Sequence, residues 1–335
     1  MPADPIRWGI LATGGIARSF STDLSLLGDA ETVAVGSRTA SSAEAFGAEF
    51  GIPNRHGSYR DLVGDPEVDV VYVATPHPAH RAAALMAIEA GKAVLCEKPF
   101  TMNAAEAEEV IAAARSRGTF LMEAMWPRFH PHMARIREII AEGTLGEIVS
   151  VTAEHGHYFS RDPANRLFDR SLGGSALLDL GIYGISFASM VLGPPDRMTV
   201  ASNPAFTGVD AQTTVVFQYN GGQQAIATGN TYARTPKAAA INGTDARIEI
   251  AGPFLTPTTF RVIHRDGAVM ETFDQPHEGS GLRHQAAEVA RCLRAGLKES
   301  PVMPLGETLS IMKTMDAIRL RVESGAAVGE ALTLR

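Results

Sequence analysis

The sequence predicts an α/β protein. An N-terminal doubly wound parallel sheet (1–125) is followed by a C-terminal α+β domain (126–335) built on a large open-faced mixed or antiparallel sheet. Three observations predict this. Short apolar runs alternate with helical patterns through the first third of the chain. A turn of small residues follows the first apolar run. After about Met125 the rhythm changes to consecutive strands with short turns, closed by two helices.

Taken in order, Ile6–Leu11 and Thr32–Val35 read as strands. Val70–Ala74 is β-branched and continuous, as a strand buried on both faces should be; Ala93–Cys96 and Thr119–Met122 follow. Helical patterns lie between them, over Ile16–Leu27, Ser41–Phe50, His80–Ala90 and Asn103–Arg117. Asn103 with Glu106 resembles a capping box, in which side chains satisfy first-turn amides. In the second part, Glu147–His155, Gln212–Tyr219, Gln223–Gly229, Arg247–Ala251, Thr258–Ile263 and Ala268–Phe273 read as strands. Asn220-Gly221-Gly222 is a hairpin signal, because glycine accepts positive φ without a steric penalty. Leu282–Gly296 and Leu305–Ser324 read as the closing helices, which can pack back on the first domain.

Composition narrows the function classes. The chain has 335 residues, 45% hydrophobic and 20% charged, with a net charge of −7. That is ordinary globular composition, and no basic face invites nucleic acid. Two distant cysteines, Cys96 and Cys292, make neither a disulfide framework nor a zinc knuckle, so a reducing, cytoplasmic setting is expected. The N-terminus shows no signal-peptide pattern. The long uncharged stretch 211–233 holds too many amide side chains to span a bilayer. His155 and His157 share a strand face but lack a third ligand, so no metal site is expected.

Directly after the first strand comes Ala12-Thr13-Gly14-Gly15-Ile16-Ala17. This is the G-x-G-x-x-A dinucleotide fingerprint of a Rossmann domain with alanine at its first glycine. Gly14 leaves a bare backbone for a pyrophosphate, Ala17 lets helix meet strand, and the helix N-terminus offers free amides. Ala12 must either avoid positive φ or accept strain. The second strand ends in Gly36-Ser37-Arg38, where an acidic residue would normally bind the ribose 2′-hydroxyl. Serine and arginine suit a 2′-phosphate instead, so NADP is expected in preference to NAD, with NAD the second choice.

The segments Arg7-Trp8-Gly9-Ile10-Leu11, Ala74 to His80 (Ala-Thr-Pro-His-Pro-Ala-His), Cys96-Glu97-Lys98-Pro99, Glu123 to Pro131 and Gly173 to Tyr183 complete a pattern. It resembles the Gfo/Idh/MocA oxidoreductase family along the whole chain. The resemblance is strongest to the branch of dimeric dihydrodiol dehydrogenases, xylose dehydrogenases and glucose–fructose oxidoreductase. Tyr183 stands where many members of the wider family carry histidine.

The resemblance implies a nicotinamide cofactor, a cis peptide at Lys98-Pro99, and Lys98 and Tyr183 acting at a substrate hydroxyl with Asp179. Thr75, Pro76, His77, His80, Glu97, Lys98, Trp126 and Arg128 would join the fingerprint and Ser37–Arg38 as cofactor contacts. Lys98, Trp126, His130, Arg166, Asp179 and Tyr183 would meet the substrate. The residue types suit the chemistry. Alcohol oxidation needs a base for the hydroxyl proton, and free tyrosine titrates near about 10, so it needs positive charge nearby to act near neutrality. Asp179 and Tyr183 are four residues apart and share a face if that segment is helical.

The expected reaction is hydride transfer at a secondary hydroxyl or carbonyl of a sugar, polyol or cyclic diol. The alternatives are a glycosidase that retains its nicotinamide and a non-catalytic nucleotide sensor. Without a carboxylate-clamping motif, neutral substrates are favoured over acidic ones. Val215, Phe217 and Ile226 give the second sheet apolar surface, so a homodimer or homotetramer through that sheet is expected.

Overall fold

A computed structural model of the chain describes residues 4–276, 278–324 and 332–333. The chain divides into two compact units, one of residues 1–129 with 279–309, the other of residues 130–278 with 310–335.

The first unit opens with β1 (Ile6–Leu11), α1 (Gly15–Leu24), β2 (Ala30–Gly36), α2 (Ala40–Phe50), β3 (Asn54–His56) and α3 (Tyr59–Val63). It continues with β4 (Val70–Val73), α4 (His80–Glu89), β5 (Ala93–Glu97), α5 (Ala104–Arg117) and β6 (Leu121–Ala124). The strands form one parallel sheet in the order β3-β2-β1-β4-β5-β6, the doubly wound Rossmann arrangement. All four residues of β4 and all five of β5 are buried, which explains their unbroken apolar run. Trp8, Phe20 and Tyr72 form an aromatic core, with Phe20 stacked on Tyr72 at 3.8 Å between centroids. The helix 283–294 (α8 below) packs on α1 and adds Leu282, Ala286, Val289 and Cys292 to this core.

Caps account for the helix starts. Thr39 accepts from the Ser42 amide and starts α2. Asn103 accepts from the Glu106 amide at 2.9 Å and starts α5, whereas Glu106 returns its bond to the amide of Met102, not to that of Asn103. The expected capping box is therefore closed one residue further out. Helix α1 stops three residues short of Leu27, where the chain turns and leaves Leu26 exposed.

The second unit contains α6 (Pro131–Ala141), β7 (Ile148–Gly156), α7 (Ile182–Leu192), β8 (Arg197–Pro204), β9 (Asp210–Gln218) and β10 (Gln224–Asn230). Then come β11 (Ala239–Gly243), β12 (Ala246–Ile250), β13 (Thr259–His264), β14 (Val269–Asp274), α8 (Arg283–Arg294, first unit), α9 (Leu305–Glu323, its residues through Leu309 in the first unit) and β15 (Leu332–Thr333). The strands form a mixed sheet ordered β14-β13-β12-β11-β7-β10-β9-β8-β15. Only β7 and β10 run parallel; every other neighbouring pair is antiparallel. The hairpin at Asn220-Gly221-Gly222 forms between β9 and β10, with Gly222 at φ +90°.

One face of this sheet carries α7. Ala153, Ala227 and Gly184 keep side chains small where helix and strands meet, and a Cβ at Gly184 would lie 3.1 Å from that of Ala227. Residues 170–192 are long and apolar enough to cross a bilayer, but 78% of the most apolar stretch is buried inside the fold, as in a core helix. The other face is uncovered by the described residues of the unit. It holds a groove of about 600 Å³ lined by Thr152, Glu154, Ile226, Thr228, Glu249 and Arg261. Val215 and Phe217 do not share that face with Ile226. They alternate onto the covered side, while Ile226 pairs with Val216 on the open side.

Candidate active site

The first unit brings the predicted nucleotide-binding residues to one edge. Ala12–Ala17 follow β1, Ser37 and Arg38 follow β2, Thr75–His77 follow β4, and Lys98 follows β5. These are carboxyl ends of parallel strands, and the strand order reverses between β1 and β4, where doubly wound sheets bind ligands.

Ala12 takes the strained alternative, at φ +89°. Gly14 is the N-cap of α1, with no side-chain cap on the first-turn amides. A Cβ built at Gly14 or Gly15 would meet nothing within 4 Å, and both residues are exposed. This bare, uncapped helix start fits a pyrophosphate, and no carboxylate ends β2 to repel a 2′-phosphate. Ser37 is buried and Arg38 exposed beside it. Arg18 braces the turn by donating to the Thr13 carbonyl at 2.6 Å.

Lys98 sits on a tightly braced loop, and its peptide bond to Pro99 is cis. His80 is wholly buried, with Nδ1 2.8 Å from the Pro99 carbonyl oxygen and Nε2 2.8 Å from that of Thr75. It staples the loop after β4 to the loop after β5. No ring edge remains for a nucleotide, so His80 is a positioning residue, not the cofactor contact expected. Burial lowers its pKa. Glu97 is likewise taken up inside: it accepts from the Tyr72 hydroxyl at 2.5 Å and from the Lys98 amide at 3.2 Å. Burial raises its pKa, opposed by Tyr72 and by the Lys98 charge.

Arg128 also departs from expectation. It is 4% exposed and pairs with the half-buried Glu307 at 2.6 Å, so its guanidinium is engaged in an ion pair. Trp126 is half-buried against the Rossmann core. Beside them Glu123 is 0% exposed, its carboxyl pushed up to about 7 chiefly by burial, with Thr308 and Arg128 opposing the rise. The sequence marks Glu123 only as the start of the family-like segment to Pro131 and gives it no role, because its burial is decided by distant neighbours.

In the second unit Tyr183 is the second residue of α7 and 8% exposed. The turn before it, Leu177–Gly181, is π-helical, so Asp179 and Tyr183 are not related by the regular helical spacing expected. Asp179 is buried and held by both terminal nitrogens of Arg166, at 2.7 and 3.2 Å. Such a fork fixes the carboxylate plane. The half-buried Asp210 secures the start of this turn. It accepts from the Ser175 hydroxyl, the Leu177 amide and the Thr213 hydroxyl. Glycine is required where β10 passes: a Cβ at Gly229 would lie 2.7 Å from the Gly181 nitrogen.

The His155 ring lies 5.3 Å from that of Tyr183, an unanticipated neighbour. His155 and His157 do not converge on a common point, because His157 turns to Lys237. His130 is corrected as a substrate contact. It is wholly buried, Nε2 is 3.0 Å from the Leu255 carbonyl oxygen, and its ring stacks on His132.

Residues 6–125 match the NAD-binding Rossmann domain of the Gfo/Idh/MocA oxidoreductases, and residues 133–252 match their C-terminal domain. The chain belongs to the Gfo/Idh/MocA oxidoreductase family. Among its relatives is trans-1,2-dihydrobenzene-1,2-diol dehydrogenase from Mus musculus, 40% identical over 326 residues, 94% of this chain and 96% of that protein. Solved structures with the same fold include aldose-aldose oxidoreductase from Caulobacter crescentus, at TM-score 0.87 and 24% identity, covering 98% of this chain and 100% of that one. A 3-ketoreductase from Actinomadura kijaniata, solved in complex with NADP, superposes at TM-score 0.79 with 26% identity, covering 95% and 97%. Like other Gfo/Idh/MocA proteins, this chain is an oxidoreductase with a nicotinamide-dinucleotide-binding Rossmann domain.

Proposed function

We propose that this protein transfers hydride between NADP and a secondary hydroxyl or carbonyl of a sugar, polyol or cyclic diol. The observation that carries this reading is the buried Tyr183 on its braced turn, beside His155, in a member of an oxidoreductase family. When bound, the nicotinamide supplies the hydride acceptor in oxidation and the donor in reduction. Tyr183 takes the hydroxyl proton in one direction and returns it in the other. Lys98 assists with its positive charge. Asp179, held flat by Arg166, orients the reacting group. Ser37 and Arg38 favour NADP over NAD, and Gly14 and Gly15 leave room for the pyrophosphate. The similarity to a dihydrodiol dehydrogenase supports a vicinal diol as the reacting unit.

The uncovered face of the second sheet is proposed as the contact in a homodimer or larger homo-oligomer. Two buried free thiols, Cys96 and Cys292, suit a reducing cytoplasmic setting. The test of the function is a panel of aldoses, inositols, dihydrodiols and 1,5-anhydro-ketoses, followed by absorbance of the reduced nicotinamide with NADP and NAD in parallel. Net NADPH accumulation with at least one diol or aldose, at higher kcat/KM than with NAD, is expected. Product release without net reduction would point to a nicotinamide-retaining glycosidase and overturn the reading. Cofactor binding with no turnover across the panel would point to a nucleotide sensor.

A further inference from the structure

Two cations, Arg234 and Lys237, gather around a neutral histidine, His157, just beyond β7 in the second unit. Strand alternation puts His155 and His157 on one face, the face that carries Tyr183. The His157 amide donates to the Asn230 carbonyl at 2.9 Å, so the strand path continues past Gly156. His157 therefore lies two residues, about 7 Å, beyond His155 along an extended strand.

Segment 231–237 runs alongside. Gly156 donates to the Thr235 hydroxyl at 2.9 Å, and Phe159 donates to the Thr231 carbonyl at 3.0 Å. This segment carries Arg234 and Lys237. The Lys237 ammonium is 3.2 Å from Nδ1 of His157. With lysine donating, Nδ1 accepts and the ring proton sits on Nε2, free to face a ligand. The Lys237 backbone is left-handed, φ +57°, although it is not glycine. It is held there by the Phe254 amide, which donates to the Lys237 carbonyl at 2.9 Å. Strain of this kind persists where surroundings fix a residue, and it clusters at ligand sites. The Arg161 guanidinium, from the loop after β7, lies over the Tyr232 ring of this segment, 4.6 Å from its centroid, and adds a third positive group beside it.

No carboxylate forms an ion pair with Arg234 or Lys237 among the described residues. The charges felt at His157 are those of Lys237 and Arg234, and the charge felt at Lys237 is that of Arg234. Burial and these cations hold both groups below their ordinary values. Like charges assembled without a counter-ion cost free energy that an incoming anion relieves.

We propose that His157, Arg234 and Lys237 form an anion subsite for a carboxylate or phosphate group carried by the substrate. This deepens the proposed function: the preferred substrate is an acidic sugar or polyol whose charged end lies a few carbons from the reacting hydroxyl. The sequence favours neutral substrates only because these residues lie as much as 80 positions apart and show no motif.

The test compares pairs that differ in the anionic group, glucose with glucuronate and glucose with glucose 6-phosphate, assayed with NADP. The wild type is expected to prefer an acidic partner in kcat/KM by about tenfold or more, the scale of a hydrogen bond to a charged group. Arg234→Gln and Lys237→Gln should each reduce that preference about tenfold, read as the ratio of the acidic to the neutral substrate. The carboxylate and phosphate arms separate the two sources. Independently of turnover, inorganic phosphate should bind the wild-type protein saturably in calorimetry and bind Lys237→Gln and Arg234→Gln more weakly. Lys237→Gln could fold poorly, and the exposed Arg234→Gln then decides. Equal kcat/KM within both pairs, or phosphate binding untouched in Arg234→Gln, overturns the subsite. Neutral diols turned over without acidic preference would sink the subsite but leave the oxidoreductase reading standing. No turnover in any arm, with phosphate bound as expected, would do the reverse.

Discussion

Ala12 is the clearest case of a single residue that trades stability for position. It replaces the first glycine of the fingerprint and holds φ +89°, a region costly for any residue with a Cβ. Ala12→Gly should therefore raise stability by about 0.5–1 kcal/mol, read from the urea midpoint at unchanged m-value. A lower midpoint would mean that the alanine is not strained. Glu123 makes a different single-residue case. Its carboxyl is buried and pushed up from the ordinary range to about 7. A raised folded-state pKa means the neutral form is the one the fold accepts. Its contribution is complete below the unfolded pKa near about 4.5 and is lost as pH rises through about 7. The loss is on the order of 3 kcal/mol. Glu123→Gln should flatten the fall in stability between about pH 4 and 8, a window that spans both values, measured by urea unfolding across that range. An unchanged slope would show that Glu123 titrates normally.

At the scale of elements, the π-helical turn 177–181 and β10 fix where Tyr183 stands. Gly229 lets them touch, since a Cβ there would meet backbone atoms of Gly181 and Ala176 at 2.7 to 3.0 Å. Gly229→Val should cost about 1–3 kcal/mol and abolish most turnover while circular dichroism stays native-like. Full activity would mean that the turn is free to move without harm. Much of this architecture is legible in the sequence, because buried parallel strands such as Val70–Val73 leave an unbroken β-branched run. Other elements are silent. Strand β3 is Asn-Arg-His, β11 is Ala-Ala-Ile-Asn-Gly, and β8 shows only Met198 and Val200 as buried apolar side chains. Such strands are set by their neighbours and not by their own pattern. The site follows the same rule. The positions of Gly14, Ser37 and Lys98 are readable because each follows a strand at a known edge. The roles of His80, Arg128 and His130 are not, because burial and distant carbonyl or carboxylate partners decide them.

For the whole molecule, the uncovered sheet face bears on assembly. Ile226 is 42% exposed there, amid threonine, alanine and paired charges such as Arg261 with Glu249. Light scattering at micromolar concentration should give at least twice the 35.6 kDa chain mass. A monomer would remove the sheet from the account of assembly. The account as a whole rests on the redox roles of Tyr183 and Lys98. The most direct measurement is the single-turnover rate of nicotinamide reduction in Tyr183→Phe and Lys98→Met, at saturating NADP, with the best substrate of the panel. Each rate should fall by about 10²-fold or more while NADP affinity stays within about twofold of wild type. Wild-type rates in either variant would contradict the assignment.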